Sequence, residues 1–305
     1  MERREFLKAA GMGTAAISLP SAGLFSQAMS GNLTAGDIHK HLRSLIEVKE
    51  PSVDRIIIGD PGTSVKKIGT AWMPYWDTLK KAIEKGVNLM VVHEPTFYTH
   101  WDLDASKGDY FDAPSPAREN YFSQRDLKKN WIEKNGMVII RCHDVLDKMP
   151  GWGIPYSLGQ GLGFSNDQIV RSKTFYNIYS IDSQPAGEVA RKISIKLKEV
   201  GQPGIAFYGD ENYRVSTVGL GTGCICDPLE YSELAPDMFI GIDDTIRTWI
   251  QTTYAQDTGK PLLVINHGTS EEFGVRSLNL HLKTTYPDHE VIRFPEGCSY
   301  RWITS

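Results

Sequence analysis

Three histidines in this 305-residue chain each follow a short apolar run. VNLMVV (87–92) precedes His93, MVIIRC (137–142) precedes His143, and PLLVIN (261–266) precedes His267. Each has a carboxylate close by. Glu94 is adjacent to His93, Asp147 follows His143 by four residues, and Glu271 follows His267 by four. A spacing of four puts two side chains on one face of a helix, and residues 270–283 read as helical. Histidine nitrogen with carboxylate oxygen is a ligand set for zinc, iron or manganese. The chemistry that uses such mixed clusters is a two-metal hydrolytic centre, with ions about 3.5–4 Å apart bridged by carboxylate and hydroxide.

The elements that must hold these residues share one layout. WDTLKKAIEK (76–85), RDLKKNWIEKN (125–135) and DTIRTWIQTTYAQD (244–257) read as helices, reaching Gly86, Gly136 and Gly259. Glycine after a helix is a left-handed stop. The apolar runs that follow read as buried strands of a mostly parallel sheet. In open α/β sheets ligands gather outside the carboxyl ends of the strands, which is where all three histidines fall. FYNIYSI, residues 186–200 and GIAFYG read as strand, helix and strand. RVSTVGLGTG, DMFIG and HEVIRF supply further strands. The predicted fold is α/β and two-lobed, with mostly parallel mixed sheets flanked by helices. One lobe spans 36–165, with an insertion at 96–124, and the other spans 173–305.

Composition bounds the function. The chain is 41% hydrophobic and 23% charged with a net charge of −4, which argues for a globular protein and against a basic nucleic-acid binder. No apolar run reaches the roughly 18–20 residues of a membrane span. The first 28 residues read as a twin-arginine export signal: Arg3 and Arg4, a mild apolar stretch, then Ser26-Gln27-Ala28 as a small-x-small cleavage triplet. Its removal leaves a net charge of about −5. The expected location is the periplasm or an equivalent exported site. That route carries folded proteins, often with a metal already loaded.

Cys142, Cys224, Cys226 and Cys298 are even in number and allow one or two disulfides, though buried free thiols are the simpler reading. Gly219-Leu-Gly-Thr-Gly223 lacks the spacing of a dinucleotide or P-loop fingerprint and reads as tight strand–helix packing. Ser157, Ser216 and Ser270 have no nucleophile-elbow setting. His39 and His41 are expected to be solvated on a polar helix, and His281 and His289 carry no predicted role. Residues 96–124 are long, aromatic and acidic. They are expected to form either a surface excursion or a lid over the metals, in which His100, Asp102, Asp104 and Asp109 are candidate extra ligands.

VVHEPTFY, RCHDVLD and NHGTSEEFGV, in this order, resemble the motifs of the Ngg-interacting-factor-three-like family, often labelled GTP cyclohydrolase one, type two. GWGIPYSLGQGLGF and VSTVGLGTGCICD are similar to further segments of it. The resemblance covers roughly residues 36–305 and implies a two-lobed α/β fold with a dinuclear metal site between the lobes. By that resemblance His93 binds one metal with Asp147, Glu94 and His267 bind the other, and Glu271 bridges both. His143 lies beside the metals and is the candidate catalytic acid/base. A homo-oligomer is also implied, with a hexameric ring as one form.

The departures shape the expectation. The family's second histidine is Glu94 here. Two dications against Glu94, Asp147 and Glu271 leave a formal +1, against +2 with a histidine at 94. The lower charge acidifies a bound water less and favours manganese or iron(II). In an alternative, Glu94 leaves the coordination shell and acts as a base beside a single metal. The expected function is therefore an exported, dinuclear-metal-dependent hydrolase of a small-molecule substrate, with metal-bound hydroxide as nucleophile. The alternative from another class is a non-catalytic metal-binding or scaffold protein. The residues contain no evident guanine reader.

Overall fold

A computed structural model describes residues 32–104 and 116–303. The proposed export signal lies outside the described residues, as does Asp109. No described helix is long and apolar enough to cross a membrane.

The described chain forms two sheets. In the first, β1 (Ile56–Ile58), β4 (Val138–Arg141), β3 (Leu89–Val92), β2 (Lys67–Ala71) and β11 (Glu290–Arg293) lie side by side in that order. β4, β3, β2 and β11 run parallel, and β1 closes the β4 edge antiparallel. β3 and β4 are buried at every position, as strands covered on both faces must be, so LMVV and VII show no alternation of apolar and polar residues. Helix α1 (Ala35–Ser44) precedes β1. Helix α2 (Trp76–Glu84) precedes β3, and α3 (Pro116–Lys134) precedes β4. Gly86 and Gly136 stop α2 and α3 at positive φ, 74° and 61°, a conformation that costs glycine little. Leu79, Ala82, Met90, Ile132 and Ile139 form much of the core here.

The second sheet has the order β5 (Ile169–Lys173), β6 (Tyr176–Pro185), β8 (Arg214–Gly221), β9 (Met238–Ile242), β10 (Leu262–Ile265) and β7 (Ala206–Tyr208). Only its β8–β9 and β9–β10 pairs are parallel; the other three are antiparallel. The expectation of mostly parallel sheets thus holds for the first sheet, and the second is mixed. Helix α6 (Ala186–Lys198) covers it through Val189, Ile193 and Leu197. Two short helices, α4 (Asp144–Lys148) and α5 (Ile154–Leu162), follow β4.

Three segments differ from expectation. The strand near HEVIRF was assigned by sequence to the second half of the chain; it is β11, paired in register with β2 of the first sheet. The last nine residues of the 96–124 insertion are helical, because α3 begins at Pro116. Tyr121, Lys128 and Ile132 of that helix are buried at helical spacing, with Tyr121 and Lys128 donating to the Phe97 and Thr96 carbonyls. The helix expected over 244–257 is broken into a 3₁₀ turn at Asp243–Thr245, a π turn at Thr248–Thr252 and α7 (Thr253–Thr258). Thr252 and Thr253 both turn their hydroxyls back on the Thr248 carbonyl, which competes with the regular helical ladder. The break leaves Asp243 and Asp244 in a turn at the end of β9.

The last long helix, α8 (His267–Thr285), is capped by Asn266, whose side chain accepts from Thr269 N. Its first nine residues are all buried, although five of them, His267, Thr269, Ser270, Glu271 and Glu272, are polar. A helix start so polar and so buried must have partners for its side chains.

Candidate metal centre

His93 directly follows β3, His143 stands two residues past β4, and His267 opens α8 two residues past β10. All three side chains come from the carboxyl ends of parallel strands. Glu94 follows His93, Asp147 lies on α4, and Glu271 is one turn into α8.

Glu271 is the centre of the arrangement. Its Oε2 lies 3.2 Å from His93 Nε2 and its Oε1 lies 3.2 Å from His267 Nε2. His93 Nε2 is also 3.7 Å from Asp147 Oδ1, and His267 Nε2 is 3.3 Å from Glu94 Oε1. His93, His143 and Asp147 bring ligand atoms within 4.8 Å of one another, and so do His93, Glu94 and Glu271. The structure therefore brings His93, Glu94, His143, Asp147, His267 and Glu271 together. It groups His143 with His93 and Asp147, the two rings stacking at 4.6 Å.

Both histidines are oriented by their other nitrogen. His93 Nδ1 meets the Cys142 carbonyl at 3.1 Å, and His267 Nδ1 meets Asp244 Oδ2 at 2.7 Å. Each Nε2 is then turned into the cluster, buried, without an aligned hydrogen bond among the described residues. Two orphaned imidazole nitrogens aimed at shared carboxylates are a poor hydrogen-bonding arrangement and a good coordinating one. A third observation agrees. A Cβ added at Gly223, which sits at φ 43°, would lie 2.5 Å from Glu271 Oε1 and 3.1 Å from His267 Nε2, so glycine keeps this space open. The donor set fits divalent ions of the zinc, manganese and iron class.

Electrostatics favour a cation here. Burial lowers the affinity of His93 for a proton, but Glu271, Asp147 and Glu94 together push its pKa up to about 10. His267 is raised in the same way, mainly by Glu271 and Asp244 against burial. Burial raises the Glu94 carboxyl, while His267, His143 and His93 hold it down at about 2. Positive charge on the imidazoles offsets the carboxylates in the metal-free protein. A dication would take over that role.

Neighbours that the motifs did not reveal position the site. Trp72, just past β2, accepts from His93 N and Glu94 N through its carbonyl and donates Nε1 to Glu271 Oε2 at 2.7 Å. Thr222 donates to Asp147 Oδ1 at 2.6 Å. Asp54 accepts from three successive backbone N–H groups, of His143, Asp144 and Val145, and so caps α4. The glycine run 219–223 thus serves the cluster directly, through Thr222 and Gly223.

The remaining candidates lie elsewhere or do other work. His100 is edge-on to His143 at 5.4 Å. Asp102 accepts from Thr96 N and Phe97 N, and Asp104 pairs with Arg55, so both carboxylates tie down the loop after Glu94. His41, expected to be solvated, is half-buried against the half-buried His281. They stack, with Nε2 atoms 2.9 Å apart, beside Trp152 and Tyr286. His39 meets the Asp54 carbonyl at 3.1 Å. All four cysteines are free thiols, Cys142 and Cys226 buried and Cys224 exposed.

The profile of Duf34/NIF3 (NGG1p interacting factor 3) matches residues 52–296, which include every residue of this cluster. The chain belongs to the Duf34/NIF3 family. Solved structures share the fold at low identity. The Staphylococcus aureus hypothetical protein SA1388 is 18% identical with a TM-score of 0.71, covering 90% of this chain and 100% of its own. A Bacillus cereus protein related to NIF3 is 12% identical with a TM-score of 0.71 and the same coverage. Reduced HcgD from Methanocaldococcus jannaschii is 17% identical with a TM-score of 0.60, covering 86% of this chain and 98% of its own. No curated protein matches.

Proposed function

We propose that this Duf34/NIF3 protein is an exported hydrolase that works with two divalent ions. The observation that carries the reading is the pair of nitrogens, His93 Nε2 and His267 Nε2, each 3.2 Å from a different oxygen of Glu271 and without an aligned hydrogen bond among the described residues. His93 and Asp147 would hold one ion, Glu94 and His267 the other, and Glu271 both. The ions, when bound, would acidify a water and take up negative charge that develops on the substrate. Asp147 is held for this by Thr222, and Glu271 by Trp72.

His143 manages the proton. Its Nδ1 is shared between Asp144 Oδ1 at 3.1 Å and Asp147 Oδ2 at 3.3 Å. That leaves Nε2, 4.0 Å from Glu94 Oε1, to give or accept a proton on the open side of the cluster. Ligands reach the cluster from both sheets, which supports the reading of two lobes, 36–165 and 173–305, around one site. Arg3, Arg4 and the triplet Ser26-Gln27-Ala28 support twin-arginine export to the periplasm.

The test is metal content per chain, measured on protein purified without added metal or chelator. About two transition-metal ions, falling on Asp147→Ala or Glu271→Ala, is the expected result. It would justify screening phosphoesters, amides and cyclic amidines as substrates. One ion per chain would move Glu94 to the role of base, and none after incubation with manganese, iron(II) or zinc would overturn the hydrolase reading.

A further inference from the structure

Arg141 ends β4 inside the first sheet, and its side chain is fully buried. Burying a guanidinium is costly unless its donors are matched. Here they are. Nε donates to the His93 carbonyl at 3.0 Å, Nη1 to the His100 carbonyl while lying 3.5 Å from Asp102 Oδ2, and Nη2 to Glu94 Oε2 at 3.2 Å. Asp102 is itself fixed by the Thr96 and Phe97 amides. The planar fork is thus held on several sides before it meets Glu94.

The two oxygens of Glu94 then have different surroundings. Oε2 is taken by Arg141, while Oε1 is turned into the cluster, 3.3 Å from His267 Nε2. We infer that Arg141 is a positioning residue and fixed counter-ion for Glu94, which leaves that carboxylate to coordinate a divalent cation through Oε1 alone. The inference rests on the two-ion reading above and adds a residue to it. It also explains how a third carboxylate is accommodated in one buried cluster. Glu94 and Glu271 are buried within reach of the same imidazole, and a third anion, Asp147, lies close by. An internal cation offsets the added charge, and a fork that binds one oxygen prevents the carboxylate from swinging away.

The experiment is a titration of the metal-free protein with manganese(II), following the first and second equivalents separately, on wild type, R141M, R141K and E94H/R141M. Circular dichroism of each metal-free protein checks folding. R141M is expected to bind the second equivalent at least tenfold more weakly, with the first changed by less than about threefold. R141K is expected to recover part of that loss. E94H/R141M, in which a neutral ligand needs no counter-ion, is expected to return to within about threefold of wild type. A purely structural role for Arg141 would leave the double variant as weak as R141M, and that result overturns the inference. So does a second equivalent unchanged in R141M or, should R141M fail to fold, in R141K. A wild type that binds only one equivalent overturns the two-ion reading and this inference with it. Two equivalents in wild type with no effect of Arg141 overturns this inference alone.

Discussion

The Thr222 hydroxyl donates to Asp147 Oδ1 at 2.6 Å, joining the loop after β8 in the second sheet to the short helix after β4 in the first. That oxygen is also the one facing His93 Nε2 at 3.7 Å. A hydrogen bond to a coordinating carboxylate fixes its orientation, and such partners are worth about 10–100-fold in metal affinity. Thr222→Val keeps the shape and removes the donor, so affinity for one equivalent of manganese(II) should fall by about that factor. Thr222→Ser should stay close to wild type. Equal binding by the valine and serine variants would count against the role.

Gly223→Ala should be worse for the metal than for the fold. The new Cβ would meet Glu271 Oε1 at 2.5 Å, so Glu271 must move to make room. Metal content per chain is expected to drop below one ion. Urea unfolding of the metal-free protein should shift by only about 1 kcal/mol, the scale of placing alanine at a positive φ.

Asp54→Ala would leave three N–H groups at the start of α4, two half-buried and one buried, without their acceptor. Lost caps cost about 0.5–2 kcal/mol and buried unpaired donors somewhat more. Denaturant unfolding should show a loss of about 2–3 kcal/mol, with Asp54→Asn losing less. Metal affinity should fall too, because His143 and Asp147 ride on that helix.

Chelation should lower the melting temperature, and re-addition of manganese(II) or zinc should restore it. A ligand that binds only the native state stabilises it by about 2.7 kcal/mol at one hundred times its dissociation constant. Glu271→Gln is expected to abolish the metal-dependent shift. A shift that survives in this variant would place the metal elsewhere.

Acid should destabilise the protein through His281. Burial, then the neighbouring His41, lower its pKa from 6.5 to about 4. Between those values the unfolded chain binds a proton that the native chain refuses. This contribution is complete above pH 6.5 and is lost as the pH falls toward 4. Melting temperatures recorded across that range should fall less steeply for His281→Gln than for wild type; matching slopes would exclude His281 as the cause.

The residues that cluster were legible because their signals are local. An apolar run, a histidine and a carboxylate four residues on are visible in a window of ten. The positioning residues were not, since they act across the chain: Trp72 reaches Glu271 over 199 residues, Asp54 reaches Asp144 over 90 and Thr222 reaches Asp147 over 75. Arg141 was hidden differently. It sits in an apolar run and is buried with it, so nothing in the local pattern set it apart. Asp244 was read as the first residue of a helix, and only the break in that helix frees it to hold His267. The twist in the strand order was equally hidden, because nothing near HEVIRF marks β2 as its partner.

That last strand has a consequence for the order of assembly. β2 leads directly into Trp72, whose carbonyl holds His93 and Glu94, yet one flank of β2 stays bare until residues 290–293 exist. During synthesis the early sheet must wait, with its edge open, for residues 290–293 to leave the ribosome. His267 and Glu271 also arrive late. A metal held by this cluster would be captured only once residues 267–271 are in place. A chain cut short before β11 would expose a buried strand edge, the kind of surface that pairs with other chains, rather than yield a smaller working protein.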